Sequence, residues 1–183
     1  MDSKKTAVYG IYTSAPHAEQ AVDILMAGGF PSQDISVLLP DNESTRDFAH
    51  KKETKAPEGA TTGAGTGGVV GGALGVLAGI GAIAIPGIGP FVAAGPIVAG
   101  LAGLGVGGAL GGVIGALIGL GIPEYEAKLY EGRLKKGGIL LSVHCDFGEE
   151  IKEAKRILKA SGAEDISSSS EESSDVVSHA HGD

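Results

Sequence analysis

From Gly59 to Pro123 the chain has no charged residue, and over its whole length it has no Trp, one Cys and only 4% aromatics. Each shortage excludes something. The lone Cys145 rules out an intrachain disulfide and supplies no metal-ligand spacing, and a single reduced thiol fits a cytosolic origin. Few aromatics leave few large side chains for a soluble core. With 14 basic against 22 acidic residues, a net charge of −8, the chain lacks the basic face that phosphate neutralisation requires, so nucleic acid is not an expected partner. No Gly-Lys-[Ser/Thr] follows any Gly loop, which excludes a P-loop. Met1-Asp-Ser-Lys-Lys5 leads into a strand-like run with no apolar core of a signal peptide.

Two stretches read as β-α-β units. Thr6 to Tyr12 (TAVYGIY) has the continuous apolar character of a buried strand. Ser14 suits an N-cap, and Ala18, Ala21, Val22 and Leu25 form the stripe of an amphipathic helix that Gly28-Gly29 ends. Ile35 to Leu39 is a second strand. Near the C-terminus, Ile139 to Cys145 is a strand, and Asp146-Phe-Gly-Glu149 has capping-box spacing. Phe147, Ile151, Ala154 and Leu158 then supply a stripe that Gly162 stops. Ala21, Ile24-Leu25, Ala27 and Gly29 match Ala154, Ile157-Leu158, Ala160 and Gly162, and Asp34-Ile35-Ser36 matches Asp165-Ile166-Ser167. Two such halves predict an α+β, ferredoxin-like four-stranded sheet with two helices on one face.

The predicted organisation is a first half over 1–40, a polar linker over 41–62, a Gly-rich helical hairpin over 63–122, an amphipathic helix over 123–138, a second half over 139–167 and a disordered acidic tail over 168–183. The tail, rich in Ser and acids, is expected to be dispensable for folding. In the central segment Gly recurs every fourth position, at Gly63, Gly67, Gly71, Gly75 and Gly79, and again at Gly103, Gly107, Gly111, Gly115 and Gly119. Residues four apart share a helix face, so each series gives a helix a groove without side chains, the small-xxx-small mode of helix packing in lipid. Thr66 to Ile85 spans about 30 Å as a helix, Pro86-Gly-Ile-Gly-Pro90 reads as a turn, and Ile97 to Ile122 forms a second arm. These ten glycines are the expected helix-packing sites of a hairpin that enters a membrane. Lys51, Lys52 and Lys55 before it and Lys128, Arg133, Lys135 and Lys136 after it would place both termini in the cytoplasm. The alternative is a cytoplasmic Gly-rich hairpin that packs on itself or on copies of itself.

Weaker signals carry less. Gly63-Ala-Gly65-Thr-Gly67-Gly68 contains G-x-G-x-x-G, but it follows a charged linker rather than a strand and belongs to the longer four-residue period. His144 and Cys145 are adjacent on a strand and so point to opposite faces, poor geometry for a nucleophile and its base. His179 and His181 sit in the acidic tail, and His17 and His50 have no partners at ligand spacing. No catalytic, cofactor or metal residues are expected.

Ala27-Gly-Gly-Phe30, Asp34-Ile-Ser-Val37, the Gly-rich hairpin and Pro123-Glu-Tyr-Glu126 ahead of Lys136-Gly-Gly138 together resemble the bacterial general stress, or heat-induced stress, protein family, in versions carrying a glycine-zipper insert. The resemblance covers Thr6 to about Ile166. It implies a stress-associated protein often described as a membrane protein, and it brings no catalytic residues. The expectation is a non-enzymatic protein anchored in lipid or assembled as a homo-oligomer through its Gly-rich helices. The alternatives are a ligand- or metal-sensing ferredoxin-like module and a zipper-lined pore.

Overall fold

The computed structural model describes residues 6–41, 81–85, 89–95, 97 and 113–170. The class is α+β. Along the chain run β1 (Thr6–Tyr12), α1 (Ala15–Ala27), a 3-10 turn (Ser32–Asp34), β2 (Ile35–Pro40), β3 (Gly81–Ile85), β4 (Gly89–Ala94), α2 (Val113–Gly119), α3 (Glu124–Lys135), β5 (Ile139–Cys145), α4 (Gly148–Ala160) and β6 (Glu164–Ser170). The strands form one six-stranded sheet in the order β3-β4-β2-β5-β1-β6, with every neighbouring pair antiparallel.

Both faces of the sheet are covered, which is why β1 and β2 are buried at every position. On one face Val8, Tyr12, Val37, Leu141, Val143 and Cys145 pack against Ala18, Val22 and Leu25 of α1 and Ala154, Ile157 and Leu158 of α4. On the other, Ala7, Tyr9, Ile11, Leu38 and Leu140 meet Val113 and Leu117 of α2 and Ala127, Tyr130 and Leu134 of α3. Gly10 sets the spacing on the α4 side. A Cβ there would lie 2.9 Å from Leu158 Cδ2 and 3.0 Å from the Ala163 Cβ, so the absence of a side chain at Gly10 lets the end of α4 and the chain after it pack close to β1.

The stretch expected to be a Gly-rich helical hairpin differs from that expectation in two described places. The glycine period predicts a first arm over Thr66–Ile85 and a turn over Pro86–Pro90. Gly81–Ile85 and Gly89–Ala94 are instead strands, joined by a three-residue connection (Ile85 pairs with Gly89), and β4 extends the sheet by pairing Ala94 with Val37 and Phe91 with Pro40. The cause is legible in Gly-Ala-Ile-Ala-Ile85, where small residues alternate with β-branched ones at the period of a strand. The second arm, expected as helix from Ile97 to Ile122, ends its helix at Gly119. Gly121 takes φ +84° and the Ile122 N–H bonds back to the Leu117 carbonyl, turning Ile122 into the core. Among the described residues no helix is long and apolar enough to cross a membrane. The rest of both arms, the linker over 42–62 and the tail beyond Ser170 lie outside the described residues.

A third correction concerns the start of the tail. Composition assigns Ser168, Ser169 and Ser170 to a disordered segment, yet they continue β6 and pair with Val8, Ala7 and Thr6. Ser-rich sequence suits an edge strand, which needs few apolar side chains. The α4 cap is also displaced by one residue. Phe147 occupies the cap position and Glu150, not Glu149, receives the N–H groups of Asp146 (2.8 Å) and Phe147 (3.3 Å).

Candidate functional site

Three places on the described surface and interior concentrate chemistry. The first is a polar recess at one end of the sheet, on the face covered by α2. The β2–β5 register sets Ser36 opposite Ser142, and two residues further along each chain, past the Ile35–Val143 rung, Asp34 and His144 line the same recess. With Ala7, Tyr9, Ile97 and Leu120 they enclose about 30 Å³, room for about two waters. Ser36 is committed, because its Oγ accepts the Ile97 N–H at 3.1 Å. The chain reaches Ile97 through Gly95, whose φ of +83° and close seat against β2 no other residue could adopt: a Cβ there would fall 2.2 Å from the Ile35 carbonyl oxygen. Ser142 and His144 are two residues apart along one strand, roughly 6.8 Å by strand geometry, beyond the reach of a nucleophile and its base. His144 Nε2 lies 3.5 Å from Asp146 Oδ1.

Cys145 sits on the other face, fully buried. Burial first, and then the carboxylates of Glu150, Asp34 and Asp146, push its thiol up to about 12. The thiolate needed for nucleophilic or metal chemistry is therefore disfavoured. Among the described residues no group of three or more His, Cys, Asp or Glu side chains could hold a metal ion. His17 is exposed on α1, while His50, His179 and His181 lie outside the described residues.

The second place is a pair of tyrosine clasps. Tyr12 from β1 reaches the C-terminus of α4, its hydroxyl 2.7 Å from Ser161 Oγ, while Ser161 donates to the carbonyls of Ile157 (2.8 Å) and Leu158 (3.0 Å). Tyr130 from α3 donates to the Asp165 carbonyl at 2.8 Å and lies 2.7 Å from Ser167 Oγ, tying α3 to β6. Asp165 holds φ +50°, unusual for a residue with a side chain, and Arg133 Nε pairs with its Oδ2 at 2.8 Å. Burial pushes both phenols up to about 12. These contacts are structural: each hydroxyl is spent on the fold.

The third place is the glycine face. Of the ten expected helix-packing glycines, Gly115 and Gly119 are described and lie on α2; Gly63, Gly67, Gly71, Gly75, Gly79, Gly103, Gly107 and Gly111 lie outside the described residues. Helical spacing puts Gly115 and Gly119 opposite Val113 and Leu117, the residues that α2 buries in the core. The smooth face of α2 is turned away from the sheet, with Gly115 half-buried and Gly119 exposed. Gly81 pairs with Ala93, so the chain enters β3 and leaves β4 at the same end of the sheet, the end that carries the recess.

Residues 7–83 match the family described as the Heat induced stress protein YflT domain, which supports a stress-protein relationship for this chain. No curated protein matches. No solved structure matches either.

Proposed function

We propose that this is a non-enzymatic, stress-associated assembly protein. A ferredoxin-like unit (β1-α1-β2 and β5-α4-β6) serves as the platform, and the Gly-rich segment, widened at its centre into β3–β4, supplies the surface that packs against a second copy. The observation that carries this reading is the outward glycine face of α2: Gly115 and Gly119 point away from the core-facing Val113 and Leu117. A groove without side chains lets another backbone come close. The similarity of residues 7–83 to a heat-induced stress domain supports the stress association.

The test is chemical crosslinking with size-exclusion chromatography of wild type and Gly115→Leu. Leu is the better helix former by about 0.5–1 kcal/mol, so if only helix propensity counted, the variant would assemble at least as well. Loss of the assembled species in Gly115→Leu supports backbone packing, and an unchanged profile rejects it. Carbonate washing of cell membranes decides whether the assembly resides in lipid, the remaining form of the proposal.

A further inference from the structure

Helix α3 has a second face that no described residue covers. Its buried residues are Ala127, Tyr130 and Leu134. On the opposite side Tyr125 is 80% exposed, Leu129 is 36% exposed, and a Cβ added at Gly132 would meet nothing within 4 Å. Positions 125, 129 and 132 follow the i, i+4, i+7 spacing of a single stripe. Along one flank of it run Glu124, Lys128, Glu131 and Lys135, already joined in two i, i+4 ion pairs: Glu124–Lys128 at 2.6 Å, and Glu131 with Lys135.

We propose that this stripe is an interface between two copies of the chain, with the two α3 helices packed antiparallel. The charges select that arrangement. In an antiparallel pair the same flank of both helices meets across the two-fold axis. Glu124 then stands opposite Lys135 of the second copy, and Lys128 opposite its Glu131, so each charge finds its complement and the ion pairs close into one network. In that register Leu129 of each helix lies near the axis. Each Tyr125 ring enters the gap beside Gly132 of the other copy, where the missing side chain leaves room for it. The helix dipoles also oppose, and Glu124 in the acidic first turn meets Lys135 in the basic last turn. A single pair of three-turn helices covers less than the roughly 1,200 Å² of a standard stable interface, so the association is weak and depends on concentration. It is separate from the glycine face of α2, because it uses a different helix.

The experiment is a concentration series on the full chain carrying Leu129→Cys, treated with a short bismaleimide. Cys145 is fully buried and stays silent. A covalent dimer that grows with concentration is expected. Gly132→Leu, at a position with open space, should abolish that dimer while leaving the melting temperature no lower. Lys135→Glu should weaken it several-fold, and adding Glu124→Lys should restore it. Gly115→Leu should leave it intact, so a failure here and a failure of the α2 proposal are told apart. Absence of the crosslink at every concentration, its survival in Gly132→Leu, or maleimide labelling at position 129 blocked only by another component of a cell extract would each overturn a second copy as the occupant.

Discussion

The segment from β1 to β2 and the segment from β5 to β6 both run strand, helix, strand, with a 3-10 turn before β2 alone, and only the first finishes inside the sheet. Both helices are 13 residues long. Both end in the same hydrogen-bond pattern: Gly28, Gly29 and Phe30 bond back to Ile24, Met26 and Leu25, as Ser161, Gly162 and Ala163 do to Ile157, Lys159 and Leu158. Gly29 and Gly162 take φ of +96° and +91°. After that the two part. β2 is flanked by β4 and β5, and Ile35 is fully buried. β6 has β1 on one side only within this sheet, and its matching Ile166 is half-buried. Matching landmarks therefore determine the helix and its stop, but the surroundings of the last strand depend on the segment downstream of it. The apolar insert brings β4 to β2, and no strand does the same for β6 in this sheet. β2 is held by strands on both sides, β6 by β1 on one side and by the side chains of α3.

The largest effect should come from breaking the seat of the inner strand. Gly95→Ala sets a Cβ against the Ile35 carbonyl and forces an unfavourable φ, so it should cost roughly 3 kcal/mol or more. Urea denaturation followed by circular dichroism would report a lower midpoint. A change under about 1 kcal/mol would mean that β4 is not held against β2 by this turn.

Alkaline titration probes both clasps at once. Tyr12 and Tyr130 have phenols pushed from 10 up to about 12. Above pH 10 the unfolded chain has released these protons while the folded chain keeps them. The stabilisation is therefore complete below pH 10 and is lost as pH rises towards 12, by up to about 2–3 kcal/mol per tyrosine. Cys145, raised from 9 to about 12, adds to the same fall from pH 9 upwards. Denaturation at a series of pH values in a Cys145→Ala background isolates the phenols, and Tyr12→Phe or Tyr130→Phe should each remove its share of the slope. A flat profile to pH 12 would show that neither phenol is held neutral by burial.

Truncation after Ser167 compares the edge with the interior. Relative to truncation after Ser170, it removes the rungs to Thr6, Ala7 and Val8 and should cost about 2 kcal/mol. An unchanged melting temperature would return these serines to a dispensable tail. The smallest effect belongs to Tyr130→Phe at neutral pH. It removes the hydrogen bond to the Asp165 carbonyl and should cost about 1 kcal/mol, with faster amide exchange in β6 than in β2.

Much of this was readable in the chain. The stripe of Ala18, Ala21, Val22 and Leu25 located α1 and its buried face, and largely apolar runs located β1 and β5. Other features were hidden by stronger patterns. In Gly81–Ile85 the four-residue glycine period runs straight into the two-residue alternation of Ala and Ile and masks it, and a turn signal at Pro86–Pro90 joins two strands as readily as two helices. Serine composition suggested a tail where an edge strand needs only backbone. The recess had no local signature, because Asp34, Ser36, Ser142 and His144 meet only through the β2–β5 register.

The first strand is a party wall. Val8 and Tyr12 belong to the room shared with α1 and α4, and Ala7, Tyr9 and Ile11 to the room shared with α2 and α3. Neighbours in sequence thus live in separate compartments, and changes at odd and even positions should combine nearly additively across the wall while coupling strongly within a room. The glycine-rich chain reaches both rooms, because Phe91 and Ala93 of β4 face α2 and α3 while Val92 and Ala94 face α1 and α4, so a change in β4 is felt on the side its residue faces.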